Sequence, residues 1–259
     1  MKYTVNVSVD GRICPVTVSD ENKALLAAKA AGGAIVGIWR ENRGENRDTS
    51  GLDACLYLVT GEEDVTADLL EKAARRHLGL PWIIADTPRL RIREFTDNDP
   101  LEKPNPWDCG VFAEEETRRA YIRHQYRFSE YGLWALEEKA GGRIIGKAGI
   151  TDIADGRTEK TEAGERIYVL CFGEEKPDSG HGCGFCPGAA VGELGYHIYP
   201  EYRGQGFAEE ACRAVLRYAE EEMELDGAFL RIRNDNTASQ MLAQKLGFRC
   251  NSAGKPDEI

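Results

Sequence analysis

Three groups of residues in this sequence have types and spacings that could do chemistry. The first is the run Arg203-Gly204-Gln205-Gly206-Phe207-Ala208. Two glycines one residue apart let a backbone turn sharply and come close to a ligand, with successive amides aimed at one anion. A helix follows at once, on the spacing of Ala211, Ala214, Val215, Tyr218 and Ala219. Its N-terminus adds unpaired N–H groups and the positive end of a macrodipole, and Arg203 adds a side-chain cation. A pyrophosphate suits such a turn. Gly-x-Gly alone also serves ordinary caps and tight turns, so the context has to decide.

The second group is Glu193 and His197, which strand alternation puts on one face together with Gly195. Either could take a proton from a protonated amine. The plainer readings are a carboxylate paired with an arginine and a packed, hydrogen-bonded histidine. The third group is Cys183-Gly184-Phe185-Cys186 beside His181 in a glycine-rich loop. It offers up to three zinc ligands where a structural site wants about four, and no second knuckle occurs, so no metal is assigned. A flexible loop and a redox-sensitive pair are the other readings.

These groups need elements to position them. The strand at 192–199 ends against Pro200, which cannot donate to a sheet ladder. Further strands are expected at 90–95, 133–137, 144–151, 228–233 and 248–250, and helices at 114–127, 207–222 and 237–245. The stretch 152–191 is long for a hairpin connection and is expected to hold an extra strand at 166–172 plus the cysteine loop. Ahead of these lies a smaller α/β pattern. It has strands at 3–9 and 13–18 around the Asp10-Gly11 turn, a helix at 22–31 capped by Asp20 and closed by Gly32-Gly33, strands at 34–39 and 56–59, and a helix at 66–77. Residues 79–84 read as a hinge. The expected domains are therefore 1–85 and 86–259, with the insertion at 152–191.

Composition narrows the function. A chain of 259 residues exceeds the usual single core. With 42% hydrophobic and 30% charged residues it can build ordinary cores, and no apolar run is long enough to span a bilayer. A net charge of −11 opposes a nucleic-acid partner, because a duplex binder needs a basic face. The opening residues lack the basic start and apolar stretch of a secretory signal, and the eight cysteines read as thiols of a reducing compartment, so a cytoplasmic location is expected.

The order Arg-x-x-Gly-x-Ala at 203–208 resembles the coenzyme-A motif of the GNAT superfamily of N-acetyltransferases. Asn236, Ser239, Leu242, Gly247 and Phe248 match its Asn-x-x-Ser-x-x-Leu-x-x-x-x-Gly-Phe pattern. The runs at 89–95 and 193–198 look like the opening and central strands of the branch that includes the ribosomal-protein alanine N-acetyltransferases. The resemblance implies an α/β (α+β) fold, the GNAT acyl-CoA N-acyltransferase fold with a mixed central sheet, here preceded by the small α/β domain. It also implies direct attack of an amine on acetyl-CoA, the acceptor being a small-molecule amine or a peptide N-terminus. On this resemblance Arg203, Gly204, Gln205, Gly206, Phe207 and Ala208 hold the pyrophosphate, the amides of Ile198 and Tyr199 polarise the thioester, and Asn236 holds the pantetheine amide. Glu193 is the first choice of base, with His197 second.

The chain departs from the family in two places. The tyrosine that many members carry seven positions after the Asn is Ala243 here, so Ser239 is the substitute donor to the departing thiolate. The chain also stops soon after Phe248, where the family has a last strand, leaving an edge to be covered by the tail to Ile259 or by another chain. These departures keep open a CoA-binding sensor without turnover, and a scaffold. Residues 18–37 separately resemble half of a haloacid-dehalogenase-type phosphatase, but Ala24 stands where that family has a magnesium-holding acid and no Asp-x-Asp precedes it. A scaffold, substrate-gating or homodimer role is expected for that part, and an unrelated small unit is the alternative.

Overall fold

The hairpin that opens the chain shows how local sequence sets the first layer. Strand β1 (Lys2–Val9) returns as β2 (Arg12–Ser19) through a two-residue turn in which Asp10 and Gly11 both take positive φ, 48° and 76°. That turn matches the right-handed twist of the flanking strands. The structure, a computed structural model, describes residues 1–40, 49–102, 110–155, 164–173, 185 and 188–251. It divides into two compact units, Met1–Trp82 and the residues from Ile83 onward.

In the first unit β3 (Ala34–Ile38) pairs parallel with both β2 and β4 (Tyr57–Val59), so the sheet order is β1-β2-β3-β4. All five residues of β3 are buried, as expected of a strand covered on both faces. Ala34, Val36 and Ile38 join the core that includes Ala73 and Ala74 of helix α3 (Ala67–Leu78), whereas Ile35 joins Leu25 of α1 (Asn22–Ala30) and Leu52 of α2 (Ser50–Asp53). Helix α3 is capped by Thr66, whose hydroxyl accepts from the Leu69 N–H at 3.1 Å, and ends at Gly79 with φ 66°. The cap expected of Asp20 is not made: Glu21 holds that position without a side-chain bond, and Asp20 instead accepts from Arg40 Nε at 2.8 Å. A guanidinium and the chain's amino group outcompete a neutral amide for that carboxylate.

The second unit is an eight-stranded mixed sheet in the order β12-β9-β11-β10-β8-β7-β6-β5. Its strands are β5 (Ile83–Asp86), β6 (Leu90–Arg93), β7 (Leu133–Glu138), β8 (Arg143–Ala154), β9 (Glu165–Cys171), β10 (Val191–Ile198), β11 (Gly227–Arg233) and β12 (Arg249–Asn251). Residues 83 and 84, expected in a hinge, therefore belong to β5, which pairs with β6. Helix α4 (Glu115–His124) stops earlier than expected, passing into a π-helical turn at Gln125–Ser129. Helix α5 (Phe207–Glu221) connects β10 to β11, which are parallel, and α6 (Thr237–Lys245) follows β11. The apolar side of α5, from Phe207 through Ala211, Cys212 and Val215 to Ala219, is buried, with Tyr218 edge-on to the fully buried Trp134 of β7.

Beyond β11 the sheet is extended by two further strands of the chain. Insertion strand β9 pairs antiparallel along all seven residues of β11, and β12 pairs on the outer side of β9. Among the described residues the strand next to β11 thus comes from the insertion and the short β12 stands outermost, while the tail to Ile259 lies outside the described residues. An apolar run such as Tyr168-Val169-Leu170 satisfies its backbone and buries its side chains in one step by adding to the edge.

Candidate active site

The site is built where β10 and β11 part. They pair only at Val191↔Gly227, Gly192↔Ala228 and Glu193↔Phe229, whereas β10 continues five residues further to Ile198. On its other side β10 stays bonded to β8, with Tyr196↔Ala148, His197↔Lys147 and Ile198↔Gly146 in register. The Tyr199 N–H donates to the Ile145 carbonyl at 2.9 Å. In an antiparallel ladder alternate residues exchange bonds, so residues 195, 197 and 199 face β8 and the amides of Tyr196 and Ile198 face the opening. Of the two amides expected to polarise a thioester, that of Ile198 faces the opening. Tyr199 is not, because its N–H is spent on β8.

Below the opening lies the glycine turn. Gly204 and Gly206 have φ 74° and 80°, values that only glycine adopts without strain. Among the described residues the amides of Gly204, Gln205 and Gly206 donate to no backbone acceptor, and the first turn of α5 leaves further N–H groups without intrahelical partners. Arg203, expected to reach an anion, folds back so that its Nε donates to the Ile198 carbonyl at 2.8 Å. It thereby braces the end of β10. Asn236 caps α6, its Oδ1 accepting from the Ser239 N–H at 3.1 Å, while its Nδ2 donates to no described residue.

A residue missed by the sequence reading ties the turn down. Arg89, in the loop between β5 and β6, donates through Nη1 to the Gln205 carbonyl at 2.8 Å and through Nε to Glu210 at 2.6 Å, and stacks 4.3 Å from the Phe207 ring. Glu210 also accepts from the Thr87 hydroxyl and the Arg89 N–H. Burial would raise the Glu210 carboxyl, but these donors together hold it below its ordinary value. Such depressed groups contribute stability above the unfolded pKa, about 4.3, which is lost as pH falls through the folded value. Arg89→Ala is expected to weaken binding of CoA about tenfold at neutral pH, and calorimetry checks it. No local signal marks this arginine, because its partners lie more than a hundred residues away.

An open cleft of about 2110 Å³ joins these parts, larger than a single drug-sized pocket and roomy enough for two substrates. His197, Ser239, Asn236 and the turn line it. Glu193 does not appear in the lining. It is half-buried, faces Arg231 Nη1 at 3.2 Å, and its carboxyl is raised chiefly by burial, with Arg231 opposing. Also in the wall is a cluster that the sequence reading missed. Lys147 of β8 donates to Glu102 at 2.6 Å, both almost wholly buried, and the Tyr199 hydroxyl donates to the same carboxylate at 3.1 Å. Burial first, then Glu102, push the Tyr199 phenol far up. The signal in sequence was a lysine inside the apolar run Ile144-Ile145-Gly146-Lys147-Ala148, which demands a buried partner. Cys183, Cys186 and His181 lie outside the described residues, among which no metal-holding cluster occurs and no helix is long and apolar enough to cross a membrane.

A family model described as Acetyltransferase (GNAT) domain matches residues 76–249. The chain is 36% identical over 56 residues to the Bacillus subtilis protein named "Putative ribosomal N-acetyltransferase YdaF", covering 22% of this chain and 31% of that one. It is 25% identical over 177 residues to the uncharacterized B. subtilis protein YkkB, covering 64% and 84%. The chain thus spans about a third of the first relative's length. Among solved structures, the GNAT-family acetyltransferase of Bacillus anthracis aligns at TM-score 0.38 and 19% identity, covering 63% of this chain and 82% of that one. The acetyltransferase of Agrobacterium tumefaciens aligns at TM-score 0.40 and 18% identity, covering 67% and 88%.

Proposed function

Because the chain belongs to the GNAT acetyltransferase family, we propose that it moves an acetyl group from acetyl-CoA to a primary amine by direct attack while both substrates are bound. The observation that carries this reading is the parting of β10 from β11 above a glycine turn whose amides have no backbone acceptor among the described residues. The residues fit the cosubstrate. Positive-φ Gly204 and Gly206 and the α5 N-terminus offer donors to a pyrophosphate, and the free edge of β10 offers main-chain bonds to an extended arm. Acetyl-CoA supplies a thioester already activated toward an amine.

The chain's own groups supply the rest. The Ile198 amide, aimed into the opening, stabilises charge on the carbonyl oxygen as it develops. Glu193, raised by burial, takes the proton from the acceptor ammonium, through water because it stands back from the cleft. Ser239, in the first turn of α6 and half-buried in the cleft wall, hydrogen-bonds the departing sulfur. The acceptor lies on the side of Gly195, His197 and Tyr199 and is a peptide N-terminus or a small amine. The test is CoA release from acetyl-CoA across N-terminal peptides, amino sugars and polyamines, with the product mass read for one added acetyl group. Acceptor-dependent release is the expected result. Binding of acetyl-CoA with silence across the panel overturns the reading.

A further inference from the structure

The cleft wall holds a buried ion pair whose presence packing alone does not explain. The Lys147 and Glu102 side chains are only 4% and 5% exposed, and Lys147 Nζ also lies 4.6 Å from the Phe112 ring. Two charges taken out of water barely repay their desolvation, and apolar residues of the same volume often hold a core as well or better. What apolar residues would lack is an acceptor for the Tyr199 hydroxyl. That hydroxyl donates to Glu102 Oε1 at 3.1 Å, while Lys147 Nζ donates to Oε2 at 2.6 Å.

The carboxylate is placed in advance of any ligand. The loop that carries it away from β6 is tied by Arg93, whose Nη1 and Nη2 donate to Asp99 at 2.8 and 2.7 Å, and by Arg118, which donates to the carbonyls of Asp97 and Asp99. The Glu102 N–H donates to the Phe112 carbonyl at 2.9 Å. A group fixed at so many points needs little reordering on binding. Tyr199 follows Ile198 directly and shares a face of the strand end with Gly195 and His197, its ring 6.0 Å from that of His197. It lines the cleft and is half-buried, so it is the most open member of the cluster. A hydroxyl whose hydrogen is engaged offers a ligand only its lone pairs. Burial and the Glu102 charge keep that hydrogen on the phenol.

We propose that Tyr199 binds the acceptor, its oxygen receiving an N–H of the incoming primary amine while Glu102, neutralised by Lys147, holds its hydrogen. This rests on the acetyl-transfer reading above. Glu102 and Lys147 are positioning residues. The carboxylate polarises the hydroxyl and so strengthens the bond that its oxygen accepts. The proton that the amine gives up leaves through water toward Glu193, and Tyr199 keeps its own.

The probes are an alanyl tripeptide, glucosamine and spermidine, together with the N-trimethyl form of each one acetylated, which keeps the charge and has no N–H at that nitrogen. Tyr199→Phe is expected to raise KM for the acetylated amine about tenfold, with KM for acetyl-CoA and calorimetric affinity for CoA unchanged. Inhibition by the N-trimethyl form is expected to stay as in wild type, because that form gives nothing to the hydroxyl oxygen. Equal weakening of both forms, or an unchanged KM for the amine, overturns the proposal.

The positioning role is read in double variants that leave no charge buried alone. Glu102→Leu with Lys147→Met removes the acceptor of the Tyr199 hydrogen and is expected to raise KM for the amine about threefold or more, with a melting temperature within a few degrees of wild type. Glu102→Gln with Lys147→Met returns an oxygen to that place and is expected to recover most of the loss. No loss in the leucine variant, or no recovery with glutamine, overturns the part played by Glu102. A wild-type chain that binds acetyl-CoA and acetylates no amine ends the acetyl-transfer reading itself. Wild-type turnover with an unaffected Tyr199→Phe ends only the role of Tyr199.

Discussion

Gly206→Val is expected to raise the dissociation constant of acetyl-CoA about 30-fold or more while leaving the melting temperature within a few degrees of wild type. Gly206 has φ 80°, where a β-branched residue is strained by about 1–3 kcal/mol. Its Cβ would stand 3.5 Å from Arg89 Nη2, so the valine methyls push on the guanidinium that holds the Gln205 carbonyl and stacks on Phe207. The chain relieves this by rotating the turn, which moves the amides proposed to hold the pyrophosphate. Each 1.4 kcal/mol is tenfold in affinity, which gives the size of the effect. Gly206→Ala has the same φ conflict but no branching and is expected to lose less. Calorimetry with acetyl-CoA checks both, and valine-variant affinity equal to wild type would remove the turn from the binding site.

The second large effect is expected at Glu193, the proposed base. Glu193→Gln should lower kcat about 100-fold with acetyl-CoA affinity unchanged, because it removes proton acceptance while keeping an acceptor oxygen for Arg231. The pH profile carries a sign. Burial raises the Glu193 carboxyl above its ordinary 4.5 and Arg231 opposes that rise. A base works when deprotonated, so activity is present above the folded pKa and falls as pH drops through it. The acid limb of kcat/KM should therefore lie above 4.5, and Arg231→Met, which removes the opposing cation, should move it to higher pH. His197 also lines the cleft, so His197→Gln serves as the comparison. An unchanged limb in Glu193→Gln with a lost limb in His197→Gln transfers the role.

What could be read from sequence was whatever local rules control. Turn chemistry at Asp10-Gly11, the cleft-side helix at 237–245 and the glycine turn at 203–208 are encoded within a few residues, by positive φ, capping side chains and 3.6-residue periodicity. The family followed from the order of such local motifs. Three things required the tertiary structure. Strand alternation placed Glu193 and His197 on one face, but only the partner strand shows that Glu193 meets Arg231 while His197 meets the cleft. The register with β8 decides which amides are free, and a shift of one residue would have exchanged Tyr199 for Ile198. Arg89, Glu102 and Lys147 act through partners between 45 and 121 residues away. Sequence determines where such charges sit along the chain, but pairing at that separation is set by the packed sheet, because a hydrogen bond depends on distance in space and not on distance along the backbone.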